Sequence, residues 1–274
     1  MTTPSTDEHW EQFGKEDPYW AVLTHDEFRK GTLDDQAIQR FFQSGEEHVA
    51  RILEVIRSQL VPGFSPASAL DFGCGVGRLA LPLATRCSRV VGVDVSPSML
   101  EEARRNTQAR KASGVEWVLG DDTLSRVTGR FDLVHTYIVL QHIPPERGLP
   151  LFRRLVDLLA PGGVGALQLT YNRVGFTPPA EGPLCHWPPP VPPPPDTLWV
   201  HLRGVARAFY RRLVWLFQGA RSAPPQSGPE MQMNQYALNP VFQALQTAGV
   251  TRFVCEFTDH GGDQGLMLLF QKPK

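Results

Sequence analysis

Between Ala69 and Tyr171 the spacing of apolar positions switches back and forth between two periods. Short apolar runs predict strands: ALDF (Ala69 to Phe72), RVVGV (Arg89 to Val93), VEWVL (Val115 to Leu119), FDLVHTY (Phe131 to Tyr137) and VGALQLTY (Val164 to Tyr171). The stretches from about Val76 to Arg86, Pro97 to Lys111 and Pro145 to Leu159 carry helical patterns between them. Strands alternating with helices imply a parallel sheet covered on both faces. Upstream, Val49, Ile52, Leu53 and Ile56 recur at helical spacing within a helix predicted from about Gln36 to Leu60, ended by Pro62, Gly63 and Pro66. Ahead of it lies an aromatic stretch with Trp10, Phe13, Tyr19 and Trp20, which fits no strand pattern. Downstream, a helix is expected at Pro240 to Ala248, with strands at Arg252 to Thr258 and Leu266 to Gln271.

The pattern breaks between the fifth strand and that last helix. WPPPVPPPPD, Trp187 to Asp196, must be extended, because each proline ring fixes φ and removes a donor. His201 to Phe217 then shows an apolar helical stripe and an arginine row at Arg203, Arg207 and Arg211. A helix packed on the core, a lid over a site, and a helix resting on an anionic membrane surface all fit that pattern. The organisation expected is a cap at residues 1–66, a core at 67–171, a Pro-rich insertion at 172–235 and the rest of the core at 236–274.

Composition narrows the field. A formal net charge of −1 over 274 residues argues against a dedicated nucleic-acid binder, which needs a basic face. The acidic, polar start MTTPSTDEHWEQF is not a secretory signal, and no segment has the run of about 20 apolar residues that spans a bilayer. Cys74, Cys87, Cys185 and Cys255 form no C-x-x-C pair, so a reduced, cytoplasmic setting is expected.

The densest chemistry lies in LDFGCGVGRLALPLA, Leu70 to Ala84, where a strand ends at Asp71 and a turn carries Gly73, Gly75 and Gly77. Glycines let a backbone pass close to a ligand, which then meets free amides at a helix start. Dinucleotide enzymes space theirs G-x-G-x-x-G. Here the spacing is G-x-G-x-G and Arg78 stands at the third dinucleotide position, which disfavours an oxidoreductase. Asp94 ends the second strand, where a carboxylate can accept both hydroxyls of a ribose. Asp71 before the turn and GDD (Gly120 to Asp122) after the third strand set the pattern apart from dinucleotide enzymes.

DFGCGVGR, GVDVSPSML, GDD, FDLVHTYIVLQHI and LAPGGVGALQL come in the order and at the intervals seen in class I S-adenosylmethionine-dependent methyltransferases, and the chain resembles that family from about Ala69 to Tyr171. DPYWAVL and FFQSGEEHVARIL are similar to a bacterial subgroup of it. The resemblance implies a Rossmann-like α/β fold, with a seven-stranded sheet covered by helices on both faces, an N-terminal helical cap and an insertion after the fifth strand. It also implies S-adenosylmethionine as cofactor. Gly73, Gly75 and Gly77 would admit its methionine part, and Asp71 would organise the turn and meet the amino group indirectly. Arg78 closes the motif. Asp94 would hold the ribose, with Val95 and Met99 flanking the adenine. Asp121 or Asp122 would face the adenine amine, with Thr123 beside it. Thr136 and Tyr137 would lie where the methyl group points.

Methyl transfer is an in-line displacement from a good leaving group, so alignment supplies much of the rate and one general base serves a hydroxyl or ammonium acceptor. His142, in LQHIPPE after the fourth strand, is the candidate base, and a cofactor-lining role is the other reading. Tyr19, Trp20, Tyr171 and Tyr236 are candidates for the acceptor pocket. No acid follows the fourth strand until Glu146, so no metal is expected. The reading is methyl transfer to oxygen or nitrogen of a small molecule, a natural product or a sugar-bearing one. A peptide or protein methyltransferase and a non-catalytic cofactor-binding adaptor are the alternatives.

Overall fold

A computed structural model describes residues 5–173, 229–260 and 262–274. The Pro-rich run and the arginine row of the expected insertion fall outside the described residues.

The aromatic N-terminus is helical. α1 (Thr6–Glu16) opens with a capping box, in which Ser5 accepts from the Glu8 amide and Glu8 reaches back to the Ser5 amide. α2 (Pro18–Val22) follows, and α3 (Asp35–Val55) starts at Asp34, whose carboxylate accepts from the Ala37 amide. A single turn of π-helix, Ile56–Leu60, ends α3.

The sheet contains β1 (Ser68–Phe72), β2 (Arg89–Asp94), β3 (Val115–Leu119), β4 (Phe131–Thr136), β5 (Leu159–Arg173), β6 (Phe253–Asp259) and β7 (Asp263–Gln271), in the order β3-β2-β1-β4-β5-β7-β6. β1 to β5 pair in parallel, while β7 runs antiparallel between β5 and β6. The strand order reverses between β1 and β4, and ligands of open α/β sheets bind outside the carboxyl ends at that point. The connecting helices are α4 (Ala80–Ala84), α5 (Pro97–Ala109), α6 (Pro145–Asp157) and α7 (Leu238–Thr247). α4 is shorter than the pattern predicts because the glycine turn takes up residues 73–79 first.

Alternation along the strands divides the core. Leu70, Phe72, Val91 and Val93 join Leu151, Phe152, Leu155 and Val241 on the face covered by α6 and α7. Ala69, Val90, Leu133, Val164 and Ala166 face Val49, Ile52 and Leu53 of α3. A third cluster builds the cap: Phe13, Tyr19, Phe28, Phe41 and Phe42 close over Val76, Leu81 and Met99. α3 therefore serves both the cap and the core. Among the described residues no helix is long and apolar enough to cross a membrane.

Candidate functional site

At the β1–β2 end the ligand-facing groups belong largely to the backbone. Gly73, Gly75 and Gly77 have φ of +73°, +50° and +91°, a region that L side chains rarely adopt. A Cβ on Gly73 would also run into the methyls of Val139. The amides of Gly73 and Cys74 both donate to the Val93 carbonyl, which pins the turn to β2. Asp94 accepts from the Gly75 amide at 2.8 Å on one oxygen and from the Ser96 amide at 2.9 Å on the other. Each oxygen keeps a second lone pair, so the carboxylate can take two neighbouring hydroxyls. Burial pushes Asp94 up to about 6, and the two amides work against that shift. Val95 is half-buried beside it, while Met99 is sealed in the cap cluster.

Among the described residues, two buried charged groups next to the turn have atoms without partners. Asp71 Oδ2 has none, and neither has Nε of Arg78. Arg78 is 6% exposed and its guanidinium donates to Ser44 Oγ at 3.3 Å. Among the described residues it forms no ion pair with a carboxylate. A buried guanidinium without an acid is costly unless an anion reaches it. An acceptor oxygen on Asp71 and a free donor on Arg78 suit the ammonium and carboxylate of an amino acid. With Asp94 placed for a ribose, the residues present fit S-adenosylmethionine.

After β3 the two aspartates are already engaged. Asp121 accepts from the amides and hydroxyls of Thr123 and Ser125, which hold it well below the usual carboxylate range. Asp122 pairs with Arg147, which also reaches Asp7 of α1 at 3.0 Å. Oδ2 of each acid accepts a single hydrogen bond, so both carboxylates keep acceptor capacity.

Side chains dominate the β4–β5 end. Thr136 is fully buried, and its hydroxyl has no partner among the described residues. The Tyr137 hydroxyl lies 3.0 Å from Nε2 of His260. Ile138 has a φ of +58°, unusual for a β-branched residue, and its amide donates to Gln168 Oε1 at 3.0 Å. His142 ends a 3₁₀ turn, Leu140–His142. Its Nδ1 donates to the Gln232 carbonyl at 2.8 Å, so the lone pair of the neutral ring sits on Nε2. Burial lowers its pKa, and Gln141 Nε2 lies 3.5 Å from Nε2. The Trp10 ring lies 5.0 Å from the imidazole, and Thr6 of α1 donates to Gln232 at 3.0 Å. α1 thus covers His142 from above.

The four candidates for the acceptor pocket are not brought together. The Tyr19 hydroxyl bonds Glu102 and Asn106 of α5, which makes it a tether for the cap. Trp20 packs against Phe13 and lies under the guanidinium of Arg29, 4.0 Å away. Tyr236 is 2% exposed, donates to the Ile143 carbonyl at 2.8 Å and fills space left by Gly148. Tyr171 stays half-buried on β5, near Phe257. The sequence reading missed Glu11, His48, His135, Gln141 and Gln168. His135 and Gln168 left a mark, each as a polar residue inside an apolar strand run.

The sheet order and the glycine turn define an open α/β fold with a candidate nucleoside site at the strand reversal. Residues 69–163 match the family described as methyltransferase domain. A trans-aconitate 2-methyltransferase of Methylobacterium radiotolerans is 37% identical over 114 residues, 41% of this chain and 41% of that one. A magnesium-protoporphyrin O-methyltransferase of Synechocystis is 35% identical over 88 residues, 32% of this chain and 38% of that one. The chain thus spans less than half the length of these two relatives. Among solved structures, the Synechocystis magnesium protoporphyrin IX methyltransferase with bound S-adenosylhomocysteine superposes with a TM-score of 0.56 at 19% identity, covering 97% of each chain. The N-methyltransferase NodS of Bradyrhizobium japonicum, with the same ligand, gives 0.57 at 16%, covering 99% of this chain and 100% of that one. These two likenesses are of fold. Over residues 69–163 the chain is thus similar to a methyltransferase domain, and its fold is that of these two solved methyltransferases.

Proposed function

We propose that the chain transfers a methyl group from S-adenosylmethionine to an oxygen or nitrogen of a small organic acceptor, without a metal. The observation that carries this reading is the set of polar atoms at the strand reversal. There Asp94 offers two acceptor oxygens, and among the described residues Asp71 Oδ2 and Arg78 Nε lie buried without partners. The relatives named for trans-aconitate and magnesium-protoporphyrin support a small-molecule acceptor.

The cofactor supplies a methyl group on a sulfonium, so the protein's task is alignment and exclusion of water. The glycine turn and Asp94 hold the donor side. Thr136, Tyr137 and the strained Ile138 edge the acceptor side, and α1 closes over both. His142 is the group to take the acceptor's proton on Nε2, because its bond to the Gln232 carbonyl holds the proton at Nδ1.

Calorimetry with S-adenosylhomocysteine tests the reading. Micromolar binding is expected, weakened about 100-fold in Asp94→Ala by loss of two hydrogen bonds to a charged group. Affinity should also fall below pH 6 as Asp94 gains a proton. Folded wild-type protein that binds nothing would sink the proposal. Binding would justify screening carboxylic acids, sugars and amines for homocysteine release.

A further inference from the structure

Beneath α3, three side chains from three elements form an unbroken string. Asp71 and His135 are register partners on β1 and β4, so their side chains leave the sheet on the same face. His135 Nδ1 lies 2.9 Å from Asp71 Oδ1, and His135 Nε2 lies 3.0 Å from Nε2 of His48 on α3. Asp71 and His135 are each 2% exposed. His48 reaches this depth because Gly45, one turn earlier, lets α3 ride against the Arg78 carbonyl, where any Cβ would collide. Both ring nitrogens of His135 are taken by hydrogen bonds. Among the described residues no group of three or more His, Cys, Asp or Glu could hold a metal ion.

Asp71 in its ionised form only accepts, so Nδ1 of His135 carries a proton. Burial, with the nearby His135 and Arg78, pushes His48 down to about 2 and keeps it neutral. Two facing nitrogens 3.0 Å apart share one proton. Whichever ring carries that proton, His135 is held through both of its nitrogens, and its Nδ1 proton fixes Asp71 Oδ1. Among the described residues the second oxygen of Asp71 has no partner.

We infer that His48 and His135 are positioning residues that hold Asp71 in one rotamer, so that Oδ2 is presented to the ammonium of the cofactor's amino-acid part. The inference rests on the cofactor reading above. It assigns work to two histidines in α3 and β4 that the cofactor reading does not itself use.

The test compares two probes by calorimetry: S-adenosylhomocysteine, and 5′-methylthioadenosine, which keeps the adenosine and lacks the amino-acid part. In His48→Ala and His135→Phe, S-adenosylhomocysteine should bind about tenfold more weakly, the scale of one charge-assisted bond. Methylthioadenosine should stay within about twofold. His48→Gln, whose amide can still donate, should recover most of the loss. Should His48→Ala not fold, His48→Gln against the shorter His48→Asn makes the same comparison. Equal weakening of both probes, or of neither, overturns the inference while wild-type binding keeps the cofactor reading intact. Wild-type protein that binds neither probe removes both.

Discussion

The β1–β2 end of the cleft and the β4–β5 end face the same ligand space with different material. At the first, backbone amides and three glycines with positive φ do the shaping, and Asp94 is clamped by two amides from its own neighbourhood. At the second, the groups are side chains held by partners far along the chain. His142 is fixed by Gln232, Gln141 by Thr170, and Ile138 by Gln168. A backbone-built site tolerates almost no added atom. A side-chain-built site can lose one member and relax. α1 joins the two ends, since Glu11 accepts from Ser96 and Ser98 at the start of α5 while Trp10 lies over His142.

The contrast can be broken in three places. The largest effect is expected from Gly73→Ala, which combines a positive φ with a collision against Val139. It should destabilise by about 2–4 kcal/mol in urea unfolding, and Val139→Ala should recover only the steric part. A smaller loss, about 1–3 kcal/mol, is expected from His142→Ala, which leaves the Gln232 carbonyl unpaired. Hydrogen exchange at the Asn234 amide, which donates to the Gln141 carbonyl, should quicken while the sheet stays protected. If the two variants cost the same, the distinction between the ends fails.

Smallest is Glu11→Gln, at about 1 kcal/mol, the scale of a lost helix cap. Burial alone would push Glu11 up, but the bonds from Ser96 and Ser98 outweigh it and hold Glu11 down to about 2 from its ordinary 4.5. A depressed folded pKa stabilises above the unfolded value and stops doing so as pH falls through the folded one. The melting temperatures of wild type and variant should therefore differ above pH 4.5 and converge toward pH 2. A gap that does not change with pH would mean that α1 docks by packing alone.

How much of this was legible beforehand follows the same division. D-F-G-C-G-V-G-R and Asp94 could be read because a glycine turn and the acid after a strand are local patterns, with the chemistry written within a few residues. The acceptor-pocket tyrosines could not be read. Tyr19 and Tyr236 look alike as sequence, and only their neighbours, Asn106 and the Ile143 carbonyl, turn them into internal tethers. Asp121 and Asp122 could not be told apart either, since the ion pair of Asp122 with Arg147 spans two elements.

By itself the sequence determined the alternation of strands and helices, the glycine turn and the position of Asp94, because periodicity and φ are properties of neighbouring residues. Tertiary structure alone decided that His48, 87 residues from His135, would share a proton with it, and that Asp71 would keep one oxygen free. That outcome depends on how closely α3 approaches the sheet at Gly45 and on the register of β1 against β4. Helix approach and strand register are set by packing across the core, which no local pattern encodes.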